Sequence, residues 1–313
     1  MRLFTAATLF ALFALSGPTA FAQSFEEGLS AFQREDFTTA LQHFEPLAEQ
    51  GDAVAQFNLG VIYENGFGVA QDYAEAVAWY RRAAEQGDVD AQFNLGVMSA
   101  NGRGVAQNDS EAVSWYRRAA EQGDAVAQFN LGVMYNNGRG VAQNYSEAVS
   151  WYRRSAEQGD VDAQFNLGFM YKNGRGVAQN YSEAVSWYRR AAEQGDVDAQ
   201  YNLGFMYNNG WGVAQNYSEA VSWYRRSAEQ GDAVAQFNLG VMYDRGLGVS
   251  RNLVLAYVLE NLAAAQGNEH ARKNRDISLN NLSSEQVTEG QRLASGWQVG
   301  TPLPTSSDVT TWP

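Results

Sequence analysis

The string Ala-Gln-(Phe/Tyr)-Asn-Leu-Gly begins at residues 55, 91, 127, 163, 199 and 235, a fixed period of 36 residues. No other feature constrains the fold as much. A chain that repeats one unit at this spacing builds a stack in which each copy buries its apolar face against the next. The core is then a line of equivalent contacts instead of one central mass. Function has to be read from the array and from the few positions at which its copies differ.

One copy, Asp124 to Gly159, reads as two helices. Asp124 is placed to cap a helix starting at Ala125, and Gly138 can take the left-handed conformation that ends it. After the connection Gly-Arg-Gly-Val-Ala-Gln, Asn144 with Glu147 predicts a second N-terminus and Gly159 a second stop. On helix A, Ala127, Leu131 and Tyr135 fall on one stripe; on helix B, Ala148, Trp151, Tyr152, Ser155 and Ala156 alternate bulky and small. Helices this short leave apolar surface that only neighbouring copies can cover. Glycine inside helix A (Gly132 and its equivalents) costs about 1 kcal/mol against alanine. Its presence in every copy predicts a close approach, by a neighbouring backbone, that offsets the cost.

The ends depart from the repeat. Residues 1–22 carry Arg2, an apolar run through Leu15, the breakers Gly17 and Pro18 and the triplet Ala20-Phe21-Ala22, the pattern of a cleaved signal peptide. The expected product is exported, periplasmic or secreted, with no later apolar stretch long enough to insert in a membrane. Residues 23–51 read as a shorter helix pair without the Gly-x-Gly-Val insert, and 52–267 as the six repeats. Residues 268–297, with Ser283 and Gln286, read as capping helices, and 298–313, rich in Pro, Thr and Ser, as a disordered tail. A net charge of −13 opposes phosphate backbones and anionic lipid, so no nucleic acid is expected as partner.

The pattern Ala-x-x-x-Leu-Gly-x-x-Tyr, Gly-x-Gly-Val, Ala-x-x-Trp-Tyr and a closing Ala-Glu-Gln-Gly-Asp resembles the Sel1-like repeat, a relative of the tetratricopeptide repeat. The resemblance covers residues 52–267, and the opening helix pair resembles the tetratricopeptide form itself. It implies an all-α fold, a right-handed superhelical α/α solenoid of helix pairs with helix A on the concave face and helix B on the convex one. It also implies a non-catalytic scaffold or adaptor for a protein or peptide partner, in cell-envelope assembly or signalling.

The residues themselves nominate no chemistry. There is no cysteine, and His43 and His270 stand far apart in the array, so no disulfide framework, metal site or cofactor is expected. No nucleophile has an attendant base, which leaves no catalytic residue to name and makes a secreted hydrolase the weakest class. The string Asn-Gly-Arg-Gly-Val-Ala-Gln-Asn lacks the preceding strand and third glycine of a phosphate cradle, and reads as helix termination. The arginine pairs 81/82, 117/118, 153/154, 189/190 and 225/226 each precede a glutamate at salt-bridge spacing, as Arg81 does Glu85, and read as a neutralised ladder.

Two positions vary among the copies. One is Glu64 with its equivalents Ala100, Asn136, Lys172, Asn208 and Asp244; the other follows the first loop glycine, as Phe67, Arg103, Arg139, Arg175, Trp211 and Leu247. Helical spacing puts residue 64 on a stripe with Phe57 and Val61, turned away from helix B. The candidate partner-binding residues are therefore Phe57, Val61 and Glu64; Phe93 and Val97; Phe129, Val133 and Asn136; Phe165, Phe169 and Lys172; Tyr201, Phe205 and Asn208; and Phe237, Val241 and Asp244. Aromatics would supply contact area for an extended peptide or a helix, and the variable residues its register. The competing reading is that these aromatics only pack sideways against adjacent A helices. With Arg103, Arg139, Arg175 and Trp211 the same rings support an alternative, a glycan- or exopolysaccharide-binding module. Repeat 2 replaces two tyrosines by Ser99 and Asp109 and is expected to be the least well packed copy.

Overall fold

The computed structural model describes residues 20–309, and all their regular structure is helical. The opening pair is α1 (Ala20–Gln33) and α2 (Phe37–Glu49). The A helices of the repeats are α3 (Ala53–Asn65), α5 (Val89–Asn101), α7 (Ala125–Asn137), α9 (Val161–Asn173), α11 (Val197–Asn209) and α13 (Ala233–Arg245). Their B partners are α4 (Tyr73–Glu85), α6 (Asp109–Glu121), α8 (Tyr145–Glu157), α10 (Tyr181–Glu193), α12 (Tyr217–Glu229) and α14 (Leu253–Ala265). After them come α15 (Glu269–Ser278), a 3₁₀ turn (Leu279–Asn281) and α16 (Ser284–Gly296). Consecutive helix pairs pack as a repeat solenoid. The expected leader lies, up to residue 19, outside the described residues.

The expected caps set the boundaries. Asp124 accepts from the Ala127 N–H at 2.6 Å, and Gly138 ends α7 at φ 69°. Asn144 accepts from the N–H groups of Ser146 and Glu147 to start α8. The helices group into two compact units that divide inside α8, after Trp151.

In the first unit the contact between α3 and α4 turns on Gly60. A Cβ there would stand 2.4 Å from Cδ1 of Tyr80, and one at Gly96 would stand 2.5 Å from Cδ1 of Tyr116. The close approach is real, but the neighbour is a buried tyrosine ring of the partner helix, not a backbone. A second device escaped the sequence reading. Gln56 is buried; its Nε2 donates to Ala48 O of the preceding helix at 2.9 Å, and its Oε1 accepts from Gln86 at 2.8 Å. Gln92 does the same with Ala84 O and Gln122. Each such bond contributes about 1 kcal/mol net and together they hold three successive helices in register.

The second unit repeats this arrangement at Gly168 under Tyr188, at Gly204 under Tyr224, and at Gln164, Gln200 and Gln236. It also ends the array. α14 carries Leu255, Leu259 and Glu260 where α12 carries Glu219, Trp223 and Tyr224, and all three are buried. α15 and α16 pack on it as a cap, α16 starting from a capping box between Ser283 and Gln286.

The tail differs from expectation. Residues 298–309 are ordered on this end: Gly300 N donates to Glu229 O at 2.7 Å and Leu303 N to Glu229 Oε1 at 3.0 Å, while Arg225 donates to Leu303 O at 3.4 Å. Leu303 is 2% exposed and shares a cluster with Val221, Tyr224, Leu255 and Leu259. Interior repeats place a glutamate and a tryptophan where α14 has two leucines, and Leu303 joins the apolar surface this leaves. The tail's composition gives no hint of a surface waiting for it; residues 310–313 lie outside the described ones.

Candidate functional site

The A-helix stripe is not turned away from helix B. Phe57 lies against Tyr80 with ring centroids 5.8 Å apart, Phe93 against Tyr116 at 6.0 Å, Phe165 against Tyr188 at 5.8 Å and Tyr201 against Tyr224 at 5.9 Å. The bare backbone at Gly60 and its equivalents is the reason: the tyrosine crosses over the glycine and reaches the stripe from behind. Its hydroxyl arrives at the variable position, since Tyr80 donates to Glu64 Oε2 at 2.7 Å. Burial, with the Glu64 carboxylate beside it, holds the Tyr80 phenol well above its usual range.

In the first unit this leaves little surface. Phe57 and Val61 are buried in a cluster with Ala91 and Leu95 of α5, so these two pack sideways and offer nothing to a partner. Phe93 and Val97 are half-buried on the cluster that holds Ala127 and Leu131. Phe129, Val133 and Asn136 are half-buried as well.

In the second unit the stripe is more open. Phe169 is 37% exposed and Trp211 38%. Phe165, Lys172, Tyr201, Phe205, Asn208, Phe237, Val241 and Asp244 are half-buried. Phe205 joins several of them: its ring meets Trp211 edge-on at 5.2 Å and Tyr201 at 6.5 Å, and Lys172 Nζ lies 5.3 Å from its centroid. Lys172 also donates to Asn202 Oδ1 at 2.9 Å, and desolvation lowers its pKa. Phe237 is drawn toward the end cap, 6.0 Å from the His270 ring and packed on Ala263, Ala264 and Ala271.

The variable loop residue is a packing device. It pairs with the first residue of the preceding B-type helix: Phe67 stacks on Phe37 at 4.6 Å, Arg103 lies 5.8 Å over Tyr73, and Trp211 stacks on Tyr181 at 5.1 Å. Arg139 forks onto both oxygens of Asp109 at 2.7 and 3.3 Å. Asp109 is thus a matched acid and not a lost tyrosine. The next loop glycine fits the same contact, because a Cβ at Gly104 would stand 2.1 Å from Tyr73 O, so helix termination and packing account for the Gly-x-Gly string.

The arginines differ from the expected ladder too. Arg117, Arg153, Arg189 and Arg225 donate to the tyrosine hydroxyls of the next A helix, at Tyr135, Tyr171, Tyr207 and Tyr243. The position equivalent to those tyrosines is Ser99 for Arg81, which donates to Glu111 at 2.9 Å rather than to Glu85. Around repeat 2, Arg81 and Arg139 thus find carboxylates, Glu111 and Asp109, where the other repeats offer tyrosines. The expected pairing within one helix is made by Arg225 and Glu229 at 3.8 Å. The second arginines lie over tryptophans, Arg82 on Trp79 at 4.3 Å and Arg190 on Trp187 at 4.6 Å. An open cleft on α6 is lined by Glu111, Trp115 and Arg118, which these contacts already engage. Among the described residues no group of His, Asp and Glu is placed to hold a metal ion, and no helix is long and apolar enough to cross a membrane.

The profile of the Sel1 repeat matches residues 10–52, 53–88, 89–124, 125–160, 161–196, 197–232 and 233–268. The chain belongs to the Sel1 repeat family. Its first match takes in α1 and α2. Among solved structures this Sel1 repeat protein is similar to one from Oxalobacter formigenes, with 36% identity over 77% of this chain and 99% of that one and a TM-score of 0.70. It is also similar to c5321, a protective antigen of uropathogenic Escherichia coli displaying an SLR fold, with 32% identity over 88% of this chain and 68% of that one and a TM-score of 0.59. No curated protein matches it. Sel1 repeats are in general non-catalytic scaffolds that mediate protein–protein interactions.

Proposed function

We propose that this Sel1 repeat protein is an exported, non-catalytic scaffold of the cell envelope that binds a partner protein or peptide on the A-helix stripe of its second unit. One observation carries the reading. Phe169 and Trp211 keep more than a third of their surface in water, with half-buried Lys172 on the helix of Phe169 and half-buried Phe205 against Trp211, whereas Arg117, Arg189, Gln56, Gln92, Gly60 and Gly96 are engaged in packing. Exposed rings flanked by half-buried ones suit an apolar partner side chain. Export rests on the leader pattern of residues 1–22 and the envelope role on the family resemblance.

Capture from envelope extracts tests the proposal. Wild-type protein is expected to retain a partner that the Phe169→Ala, Phe205→Ala double variant loses; retention by both abandons this stripe. The exposed indole of Trp211 favours a second reading, the glycan-binding module, and retention of polysaccharide with no protein would select it. Cell fractionation tests export separately: the chain without residues 1–22 should stay inside the cell.

A further inference from the structure

We propose that the fourth repeat seats an acidic side chain of the bound peptide, between Lys172 and Tyr188, in the place that the chain's own Glu64 fills in the first repeat. The inference rests on the peptide-binding reading above and names the chemistry its partner must carry.

The two repeats differ at one decisive pair. In the first, the Tyr80 hydroxyl crosses under the stripe and donates to Glu64 Oε2 at 2.7 Å, so the buried phenol is satisfied from within. In the fourth, the equivalent tyrosine is Tyr188, 0% exposed, with a hydroxyl that has no hydrogen-bond partner. The residue equivalent to Glu64 is Lys172. A buried hydroxyl that donates to nothing is destabilising, and nearly all such groups in folded proteins are paired.

Lys172 is the other half of the mismatch. It is half-buried, and its contacts are a neutral amide oxygen, Asn202 Oδ1, and the face of Phe205, with no carboxylate paired to it among the described residues. Desolvation without a counter-ion pulls its pKa down. A carboxylate entering here would accept from the Tyr188 hydroxyl as Glu64 accepts from Tyr80, and would neutralise the ammonium group. One site thus lacks an acceptor and an anion, and one carboxylate supplies both.

The surroundings favour a peptide over an acidic sugar. Trp211 has one face stacked on Tyr181 and meets Phe205 edge-on, which leaves at most one indole face for a sugar ring and none for a sandwich of two. Half-buried Phe165 and Phe205 and exposed Phe169, whose ring has the Arg175 guanidinium 5.6 Å from its centroid, suit the apolar neighbours of an aspartate or glutamate in an extended segment. The chain's net charge of −13 disfavours a polyanion, whereas a single acid meets a local cation.

The test uses the chain from residue 23 onward and three probes: acetyl-Ala-Leu-Asp-Leu-Ala-amide, its Asn counterpart, and trigalacturonate, each titrated by calorimetry. Wild type is expected to bind the Asp peptide about tenfold tighter than the Asn peptide. Tyr188→Phe, which keeps the ring and removes only the unpaired hydroxyl, should fold at least as well as wild type and lose most of that preference. Lys172→Glu should recreate the pair of the first repeat, raise the melting temperature and abolish Asp-peptide binding. Equal affinity of wild type for the two peptides would sink the carboxylate seat while leaving the stripe reading to its own Phe169 and Phe205 variant. Absence of peptide binding, or tighter binding of trigalacturonate, overturns the inference as well.

Discussion

Gly60 lies beneath the ring of Tyr80 so closely that an added Cβ would stand 2.4 Å from Cδ1 and 2.5 Å from Cε1. Alanine at Gly60 or Gly168 should therefore destabilise the protein although it improves helix propensity. The propensity gain is about 1 kcal/mol, and displacing a fully buried tyrosine costs about 1–3 kcal/mol. Gly240 provides the control. It has no tyrosine above it, its nearest atoms being Ala256 O at 3.3 Å, Leu259 Cβ at 3.4 Å and Glu260 Cγ at 3.5 Å. Gly240→Ala should be neutral or stabilising. Urea midpoints for the three variants decide the matter, and equal shifts at Gly60 and Gly240 would refute the tyrosine account.

Leu303 belongs to the core of the second unit although it lies in a segment that reads as disordered. Leu303→Ala is expected to cost about 2–4 kcal/mol, in the range of a core leucine. It should also speed proteolysis between residues 298 and 309. A melting temperature unchanged from wild type would show that the tail rests on the surface without sealing it.

Arg139 and Asp109 replace the aromatic stack that other repeats use between loop and helix. The pair is partly exposed, with side chains 47% and 31% accessible, so its coupling in a double-mutant cycle should be about 0.5–1 kcal/mol. It should weaken in 1 M salt. Tyrosine at position 109 should preserve stability, because Arg103 over Tyr73 shows that arginine accepts that partner.

Glu260 gives the C-terminal end a pH dependence. It is 2% exposed, and burial pushes its carboxyl up to about 7, opposed by the Ser278 hydroxyl that donates to it at 2.7 Å; Asp244 adds to the rise and Arg275 opposes it. The folded value lies above the ordinary 4.5, so the folded state holds the proton more tightly. This contribution is fully present below pH 4.5 and is lost as the pH rises through 7. Between pH 5 and 8 wild type should lose on the order of 1–3 kcal/mol more than Glu260→Gln. Thermal melts at the two pH values check it, and parallel losses would refute it.

Helix positions were legible in the sequence because capping and termination are local. Asp124, Gly138, Asn144 and Gly159 each act within four residues of themselves, and the structure uses them as read. The candidate stripe was legible only in part. Periodicity placed Phe57, Val61 and Glu64 on one line, but it says nothing about what a glycine three residues past Phe57 admits from the partner helix. The variable loop position looked like a ligand-reading site because its partner stands 30 residues earlier in the chain; only proximity shows that the two pack together.

The sequence by itself determined the repeat length, the two helices of each copy and the stacking of their apolar faces, since these depend on propensity, capping and the period of hydrophobic residues. Tertiary structure alone decided which half-exposed residues face a neighbour and which face water: that Arg81 goes to Glu111, that Leu303 meets the leucines of α14, and that Tyr188 is buried without a partner while Tyr80 has one. The physical reason is distance. Hydrogen bonds and van der Waals contacts act over a few ångströms in space, and the groups that meet between elements stand 8 to 78 residues apart in the chain.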